Sequence, residues 1–167
     1  MDARAEEEFT RFVAERTPAL LRVAYTLTGS QHAAEDLVQN ALAKAMLRWR
    51  TINEHPEAYV RQILYNDYVS GWRWRRRRPE TVMADPPHRS TGDGTEETDD
   101  RLVLRSALLR LPPRQRAVIV LRYLEDLPER DVAALLGCSE GTVASQASRA
   151  LAKLRAVVPA RGTEVAR

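Results

Sequence analysis

"LPERDVAALLGCSEGTVASQASRALAKLR", residues 127–155, has the punctuation of two helices joined by a tight turn. Pro128 is typical of a first helical turn, and Gly137-Cys138-Ser139 supplies a glycine that ends one helix and a serine that caps the next. A helix of about nine residues, a turn and a longer second helix form the helix-turn-helix pattern, whose second helix enters the major groove of DNA. This stretch therefore predicts a helical DNA-binding fold.

The second of these helices has one side of small and apolar residues, which we expect to be buried. We expect Val143, Ala147, Leu151 and Leu154 on this side to pack against Val132, Ala133 and Leu136 of the first helix. The residues left outward or at the edge are Glu140, Thr142, Ser145, Gln146, Arg149 and Lys153. Hydroxyls near a helix N-terminus suit phosphate oxygens, and glutamine and arginine side chains can reach base edges. For this segment alone, an ordinary helical hairpin with a solvated polar face is the alternative.

The rest of the chain also repeats its apolar residues at helical spacing, and strand-like alternation is absent, so we expect an all-α fold. Before residue 79 the predicted helices cover residues 6–27, 30–49 and 56 to 74 or 77. After residue 99 they cover residues 101–110, 113–124, 128–136 and 139–157. We expect Thr17-Pro18 to bend the first helix.

Residues 79–99 separate the two sets of helices and have a different composition. They are rich in proline, glycine, serine, threonine and acidic residues and lack apolar periodicity, which is typical of a flexible linker. We therefore expect two small helical domains, at residues 1–78 and 100–158, followed by a short tail at residues 159–167.

Composition argues against several classes of protein. Cys138 is the only cysteine and the three histidines are scattered, so we expect neither an internal disulfide nor a metal site. No apolar run approaches the roughly 18–20 residues of a membrane span, and the N-terminus lacks the order of a secretion signal, so a cytoplasmic chain without membrane insertion is expected. No phosphate loop or nucleophile-base pair stands out, which predicts no enzyme activity, no cofactor and no small-molecule substrate.

Three blocks of the sequence resemble one known family. They are "AEDLVQNALAKAMLRW" at residues 34–49, "PEAYVRQILYNDYVSGWRWRRRR" at residues 56–78 and "LPPRQRAVIVLRYLEDLPERDVAALLGCSEGTVASQASRALAKLR" at residues 111–155. In that order they are similar to the polymerase-docking helix, the promoter-melting helix and the C-terminal promoter-binding domain of alternative sigma factors. The family is sigma-70, in its extracytoplasmic-function group and close to actinobacterial members.

The resemblance implies two contacts with core RNA polymerase. Asp36, Leu37 and Gln39 would grip the coiled coil of the largest subunit. An apolar groove around Val118, Leu121 and Leu124 would receive the flap-tip helix of the second-largest subunit. The other implied partners are promoter DNA and, as in many relatives, an anti-sigma protein.

The resemblance also implies contacts with promoter DNA. At the −10 element, Asn66 would contact a base, with Arg61, Gln62 and Tyr65 nearby, and the loop at residues 51–55, which contains Asn53, would hold a flipped base. The end of the melting helix would meet phosphates and an unpaired base through Arg73, Trp74, Arg75, Arg76 and Arg77. The −35 element would be read by Thr142, Ser145, Gln146, Arg149 and Lys153.

Some features of the sequence leave alternatives open. Ala144 and Gln146 stand where basic residues are common in the family, so a phosphate or guanine contact is missing there. Trp72 is suited to packing in the core as well as to stacking on a base. Clusters of tryptophan and arginine also bind anionic membranes, but that requires an apolar helix face, and the four successive arginines leave no such face here. The arginines at positions 114, 116 and 122 suit either phosphate contacts or a solvated face.

Two functions remain under consideration on the sequence alone. The first is a promoter-specificity subunit that brings core polymerase to two DNA elements and helps to open the duplex. The alternative is a stand-alone helix-turn-helix transcriptional regulator. Such regulators usually dimerise to match paired half-sites, and this chain has no evident heptad seam.

Overall fold

The computed structural model describes residues 2–52, 55–77 and 98–158, with side chains as far as residue 71 in the second range. These residues are helical, with no β-strand among them, and confirm the predicted all-α fold. The helices are α1 (Ala3–Thr28), α2 (Gln31–Leu47), α3 (Pro56–Arg77), α4 (Asp99–Leu109), α5 (Pro113–Ile119), α6 (Glu129–Leu136) and α7 (Glu140–Val157). Most of the expected linker and the whole expected tail lie outside the described residues.

Helix α1 is capped at both ends. The side chain of Asp2 accepts a hydrogen bond from the backbone N–H of Ala5 at 2.9 Å, and Gly29 ends the helix in the left-handed conformation with φ 71°. Pro18 lies inside the helix without ending it. The hydroxyl of Thr17 donates to the carbonyl oxygen of Val13 at 2.6 Å.

The N-terminal half, α1 to α3, packs around the small residues of α2. Ala34, Val38, Ala41 and Ala45 form the buried side of α2, and such short side chains allow neighbouring helices to approach closely. After α2, a single 3₁₀ turn at Trp49–Thr51 leads toward α3. The ring of Trp49 packs on two phenylalanines of α1, with centroid distances of 5.0 Å to Phe9 and 5.1 Å to Phe12.

The C-terminal half, α4 to α7, contains a second, smaller core. This cluster consists of Ala107, Leu108, Leu111, Ile119, Ala150 and Leu154, with Leu151 packed against it. The sequence had predicted that Leu151 and Leu154 pack against α6, but they join the cluster that α4 completes. Val143 and Ala147, nearer the start of α7, share a cluster with Val132 and Ala133 of α6, as predicted.

The two halves share one continuous core. Val60 and Leu64 of α3 belong to the same cluster of buried side chains as Val118, Leu121 and Val132 of the C-terminal half. None of these five side chains is more than 1% exposed. The sequence predicted two domains joined by a flexible linker and did not indicate this contact between them.

Candidate nucleic-acid interface

The turn between α6 and α7 is built by its two punctuating residues. Gly137 adopts φ 64°, and its backbone N–H donates to the carbonyl of Ala133. The hydroxyl of Ser139 then accepts a hydrogen bond from the backbone N–H of Thr142 at 3.1 Å and caps α7. This reversal sets α7 across α6 in the helix-turn-helix arrangement that the sequence predicted.

Helix α7 has a buried side and an exposed polar side. Val143, Ala147, Ala150 and Leu154 form the buried side. The polar side, here called the reader face, consists of Thr142, Ser145, Gln146, Arg149 and Lys153. Thr142 and Gln146 are half-buried and the other three are exposed, so one helix surface offers hydroxyl, amide and cationic donors to a ligand.

The predicted −10 residues of α3 divide between two environments. Gln62 and Asn66 are exposed. Arg61 is half-buried, donating to Glu57 at 2.8 Å and forming an ion pair with Glu125 of the C-terminal half. Tyr65 is fully buried, and this burial raises the pKa of its phenol despite the nearby charge of Arg61. In this arrangement Tyr65 has no surface with which to contact DNA, because it belongs to the shared core.

Helix α3 is held against α2 beside its exposed asparagine. The ammonium group of Lys44 donates to both carboxylate oxygens of Asp67, at 2.6 and 2.8 Å, and Asp67 directly follows Asn66. The other predicted DNA contacts of this half lie outside the described positions or side chains: Asn53, Arg73, Trp74, Arg75, Arg76 and Arg77.

The face of α2 opposite its buried side is open. Asp36 and Gln39 are exposed, and Leu37 is half-buried. Among the residues that the structure describes, Asp36 has one weak contact: its carboxylate lies 3.7 Å from the imidazole of His32. Farther along, Leu47 is 81% exposed, so this helix presents polar and apolar groups to a partner together.

Comparison with protein families matches both halves. Residues 12–78 match sigma-70 region 2, and residues 101–154 match sigma-70 region 4. The RNA polymerase sigma-E factor of Streptomyces coelicolor is 40% identical over 156 residues, covering 92% of this chain and 88% of that protein. The chain belongs to the sigma-70 family of RNA polymerase sigma factors. This sigma factor falls in the extracytoplasmic-function (ECF) group, since the ECF RNA polymerase sigma factor EcfG of Rhodopseudomonas palustris is 32% identical over 152 residues, covering 88% and 83% of the two chains.

Solved structures agree with this assignment. The sigma factor RpoE of Bartonella quintana, solved with the anti-sigma factor NepR, aligns with a TM-score of 0.74 and 27% identity over 93% of this chain and 99% of that one. The structure of CnrH, solved with the cytosolic domain of CnrY, shares the fold at a TM-score of 0.62, with 24% identity and 96% of each chain covered.

Family membership decides between the two functions left open by the sequence. As an alternative sigma factor, the chain directs core RNA polymerase to promoters for transcription initiation, and it is an initiation factor and not an enzyme. Among the residues that the structure describes, no cluster of histidine, cysteine or acidic side chains could hold a metal ion. None of the described helices is long and apolar enough to cross a membrane.

One residue of region 4 has a role that the sequence did not reveal. Arg116 was expected to contact phosphates or to solvate a surface, and both expectations are wrong for this arrangement because the residue is only 8% exposed. Its guanidinium donates to backbone carbonyls of both halves, and burial lowers its pKa while Tyr68 opposes that shift. Arg122 is likewise engaged, donating to the carbonyl of Leu127 at 2.7 Å.

The predicted groove for the second-largest polymerase subunit is only partly open. Val118 and Leu121 are buried in the shared core, whereas Leu124 is 54% exposed. The neighbouring Tyr123 is also exposed, at the end of a π-helical turn that spans Val120–Leu124. An apolar edge therefore remains on the surface of region 4 in this arrangement.

Proposed function

We propose that this sigma factor reads promoters through two surfaces, with region 4 on the −35 element and region 2 on the −10 element. The exposed reader face of α7 carries this proposal. By resemblance to the family, its residues correspond to positions that read the −35 element, and they lie on the second helix of a helix-turn-helix. Arg149 supplies the donor best suited to a guanine edge, and Thr142 and Ser145 suit backbone phosphates.

At the −10 element we assign base contact to Asn66, with Gln62 beside it. Both side chains are exposed on the same helix of region 2, and Lys44 steadies that helix through Asp67. Arg61 and Tyr65 join this surface once region 4 has moved away. The roles of Asn53, Trp74 and the arginines at positions 73 and 75–77 rest on the family resemblance alone.

Core polymerase docks on α2 in this proposal. Asp36 and Gln39 are exposed and form no strong pair with any other residue that the structure describes, which supports the availability of their polar groups for the largest subunit. Leu37 contributes an apolar edge between them. Leu124 of region 4 contributes the exposed part of the surface for the second-largest subunit.

The decisive experiment measures whether DNA recognition depends on the polymerase. The purified chain is mixed with a library of promoter fragments from its host, with and without core polymerase, and bound fragments are sequenced. We expect specific enrichment only with core polymerase, together with new transcripts from the enriched fragments. Equal, specific enrichment by the isolated chain would show that it reads DNA as an independent regulator.

A matched pair of variants tests the docking surface. The double variant Asp36→Ala, Gln39→Ala should lose core binding in a gel-filtration assay, since it removes exposed polar groups of the proposed contact. Glu7→Ala, on the exposed side of α1, should bind core polymerase as the unaltered chain does. Equal binding by all three proteins would remove Asp36 and Gln39 from the interface.

Two further proposals concern location and control. Because the polymerase works in the cytoplasm, we place this sigma factor there as well.

We also propose that a protein inhibitor binds this sigma factor. The proposal is supported by the similar sigma factor of Bartonella quintana, whose structure was solved with an anti-sigma factor. Affinity capture from the host, followed by mass spectrometry, should recover core polymerase subunits in one fraction and such an inhibitor in another.

A further inference from the structure

Region 4 covers one face of the promoter-melting helix in this structure. Val60, Leu64 and Tyr65 of α3 are all fully buried in the core that the two regions share. By contrast, Gln62 and Asn66 on the same helix are exposed. Tyr65 of the −10 set therefore lies on the covered face, and Gln62 and Asn66 lie on the exposed face.

Polar contacts hold the two regions together around this core. Arg61 of region 2 pairs with Glu125 of region 4, whose side chain is only 10% exposed. The two regions also meet where the guanidinium of Arg105 lies 3.5 Å from the centroid of the Tyr25 ring. The pair of Arg61 with Glu125 is the more consequential, because Arg61 is a proposed DNA contact.

We propose that this contact is autoinhibitory: the Glu125 carboxylate occupies the place of a DNA phosphate at Arg61, and region 4 must leave region 2 before α3 can bind the −10 element in full. This inference rests on the proposed role of Arg61 at promoter DNA. A carboxylate and a phosphate oxygen both accept hydrogen bonds from a guanidinium, so the two compete for one donor. We call this packing of region 4 on region 2 the closed arrangement. The reader face of α7 stays exposed in it.

The junction also has features that favour opening. Tyr65 Oη and Gln115 Oε1 are buried and have no hydrogen-bond partner among the described residues, and unpaired buried polar atoms disfavour the state that contains them. A cleft of about 780 Å³ lies beside Arg61, with walls from Phe12, Trp49 and Leu135. Arg61 also retains Glu57 as a partner within its own helix when Glu125 departs. The closed arrangement is therefore one that a stronger ligand can displace.

A charge-swap cycle tests the closed arrangement in the free protein. Cysteines for a fluorescent donor and acceptor replace Thr10 and Arg155, both exposed, in a Cys138→Ala background. We expect high energy transfer for the parent, lower transfer for Glu125→Arg and for Arg61→Glu, and recovery in the double variant that exchanges the two charges. Low transfer in the parent, or a double variant as open as the two single ones, would overturn the proposal. Circular dichroism confirms that each variant remains helical.

A binding assay tests the functional consequence. The probe is labelled single-stranded DNA of random sequence, about 20 nucleotides long, which exceeds the roughly 4–16 nucleotides that many single-strand sites cover. If nine-tenths of the chain is closed, Glu125→Gln should bind about tenfold more tightly, because apparent affinity scales with the open fraction. Glu129→Gln, the same change of charge at a half-buried residue of α6, controls for general electrostatics. Equal affinities for the two variants would contradict the autoinhibitory role.

These outcomes are separate from those of the proposed function. If the parent chain is open in solution but still requires core polymerase for transcription, the autoinhibition fails and the promoter role stands. If the charge cycle reports a closed chain but core polymerase never binds it, the promoter role fails and the closed contact stands.

Discussion

Arg116 of region 4 donates a hydrogen bond to the backbone carbonyl of Leu27, in the last turn of α1 in region 2. The same guanidinium donates to the carbonyls of Leu108, Leu109 and Leu111, at 2.8, 2.8 and 3.0 Å, at and just beyond the end of α4. The last carbonyls of a helix lack intrahelical partners and lie at its negative end. A single cation therefore caps two helices and joins the two regions.

Replacing Arg116 by alanine should destabilise the protein severely. The change leaves four carbonyls without their donor, and each unsatisfied buried group costs about 1–3 kcal/mol, so we expect a loss of at least about 3 kcal/mol after relaxation. Urea unfolding followed by circular dichroism measures it. Arg114→Ala, for which the structure records no side-chain hydrogen bond, should stay within about 0.5 kcal/mol. Similar losses for both variants would contradict the capping role.

The role of Arg116 shows where sequence reasoning reaches its limit. Helix boundaries were predictable because their signals are local: Gly29, Gly137 and Ser139 act on residues within one turn of themselves. Leu27, by contrast, is 89 residues away from Arg116 in the chain. An arginine in an amphipathic helix looks the same in sequence whether it faces water or the end of a distant helix.

The candidate site shows the same division. The reader face of α7 could be predicted because this helix has one buried side, and helical periodicity identifies it. Helix α3 packs against α2 on one side and against α5 and α6 on another. Tyr65, assigned to DNA by resemblance, lies in that core instead. Periodicity does not say which partner covers a second apolar side, or in which state of the protein.

Gly29→Ala should cost more stability than the same change at Gly137. Both glycines have positive φ, 71° and 64°, so both variants incur a backbone penalty of about 1 kcal/mol. A Cβ at Gly29 would also come within 2.5 Å of the Leu109 side chain, whereas a Cβ at Gly137 would have no atom of the described residues within 4 Å. We expect thermal denaturation to rank the variants in that order. In a Leu109→Ala background the clash is absent, so Gly29→Ala and Gly137→Ala should then lower the stability by similar amounts. If Gly29→Ala still costs more in that background, a steric cause is excluded.

Ser139→Ala should destabilise the first turn of α7, the helix that carries the reader face. The hydroxyl accepts from the N–H of Thr142 and lies 2.9 Å from the Thr142 hydroxyl, so its loss should cost about 1 kcal/mol. Urea unfolding gives the stability change, and hydrogen exchange at the first turn of α7 gives its location. Ser148→Ala, at an exposed interior position of the same helix, should be neutral or slightly stabilising. Faster exchange in both variants would show that capping is not the cause.

Arg149→Ala should weaken recognition of the upstream element. A direct arginine-base contact contributes about 1–3 kcal/mol of discrimination, so the polymerase complex should bind a promoter with the −35 element less tightly and lose its preference for that sequence. Filter binding at fixed salt against fragments with scrambled −35 sequences measures both effects. Arg155→Ala, exposed two turns later, should reduce affinity without changing preference if it contacts only phosphates. Unaltered preference with Arg149→Ala would assign that side chain to the backbone.

Asn66→Ala should impair promoter opening more than promoter recruitment. Asn66 is exposed beside the Asp67 carboxylate that Lys44 holds, so an amide in this place can read a base edge while the helix stays fixed. Loss of one such contact, at about 1.4 kcal/mol, should lower the open fraction roughly tenfold. Permanganate reactivity of unpaired thymines reports opening, and footprinting of the closed complex reports recruitment.

The control for this prediction is Ser70→Ala, one turn farther along the same exposed side of α3. Because alanine there removes only a hydroxyl from a helix surface, opening and recruitment should both stay as in the unaltered protein. If Asn66→Ala reduces recruitment and opening by the same factor, the residue contributes to initial binding and not to melting. If neither step changes, the base contact belongs to another residue of α3, and Gln62, exposed one turn earlier, is the next to replace.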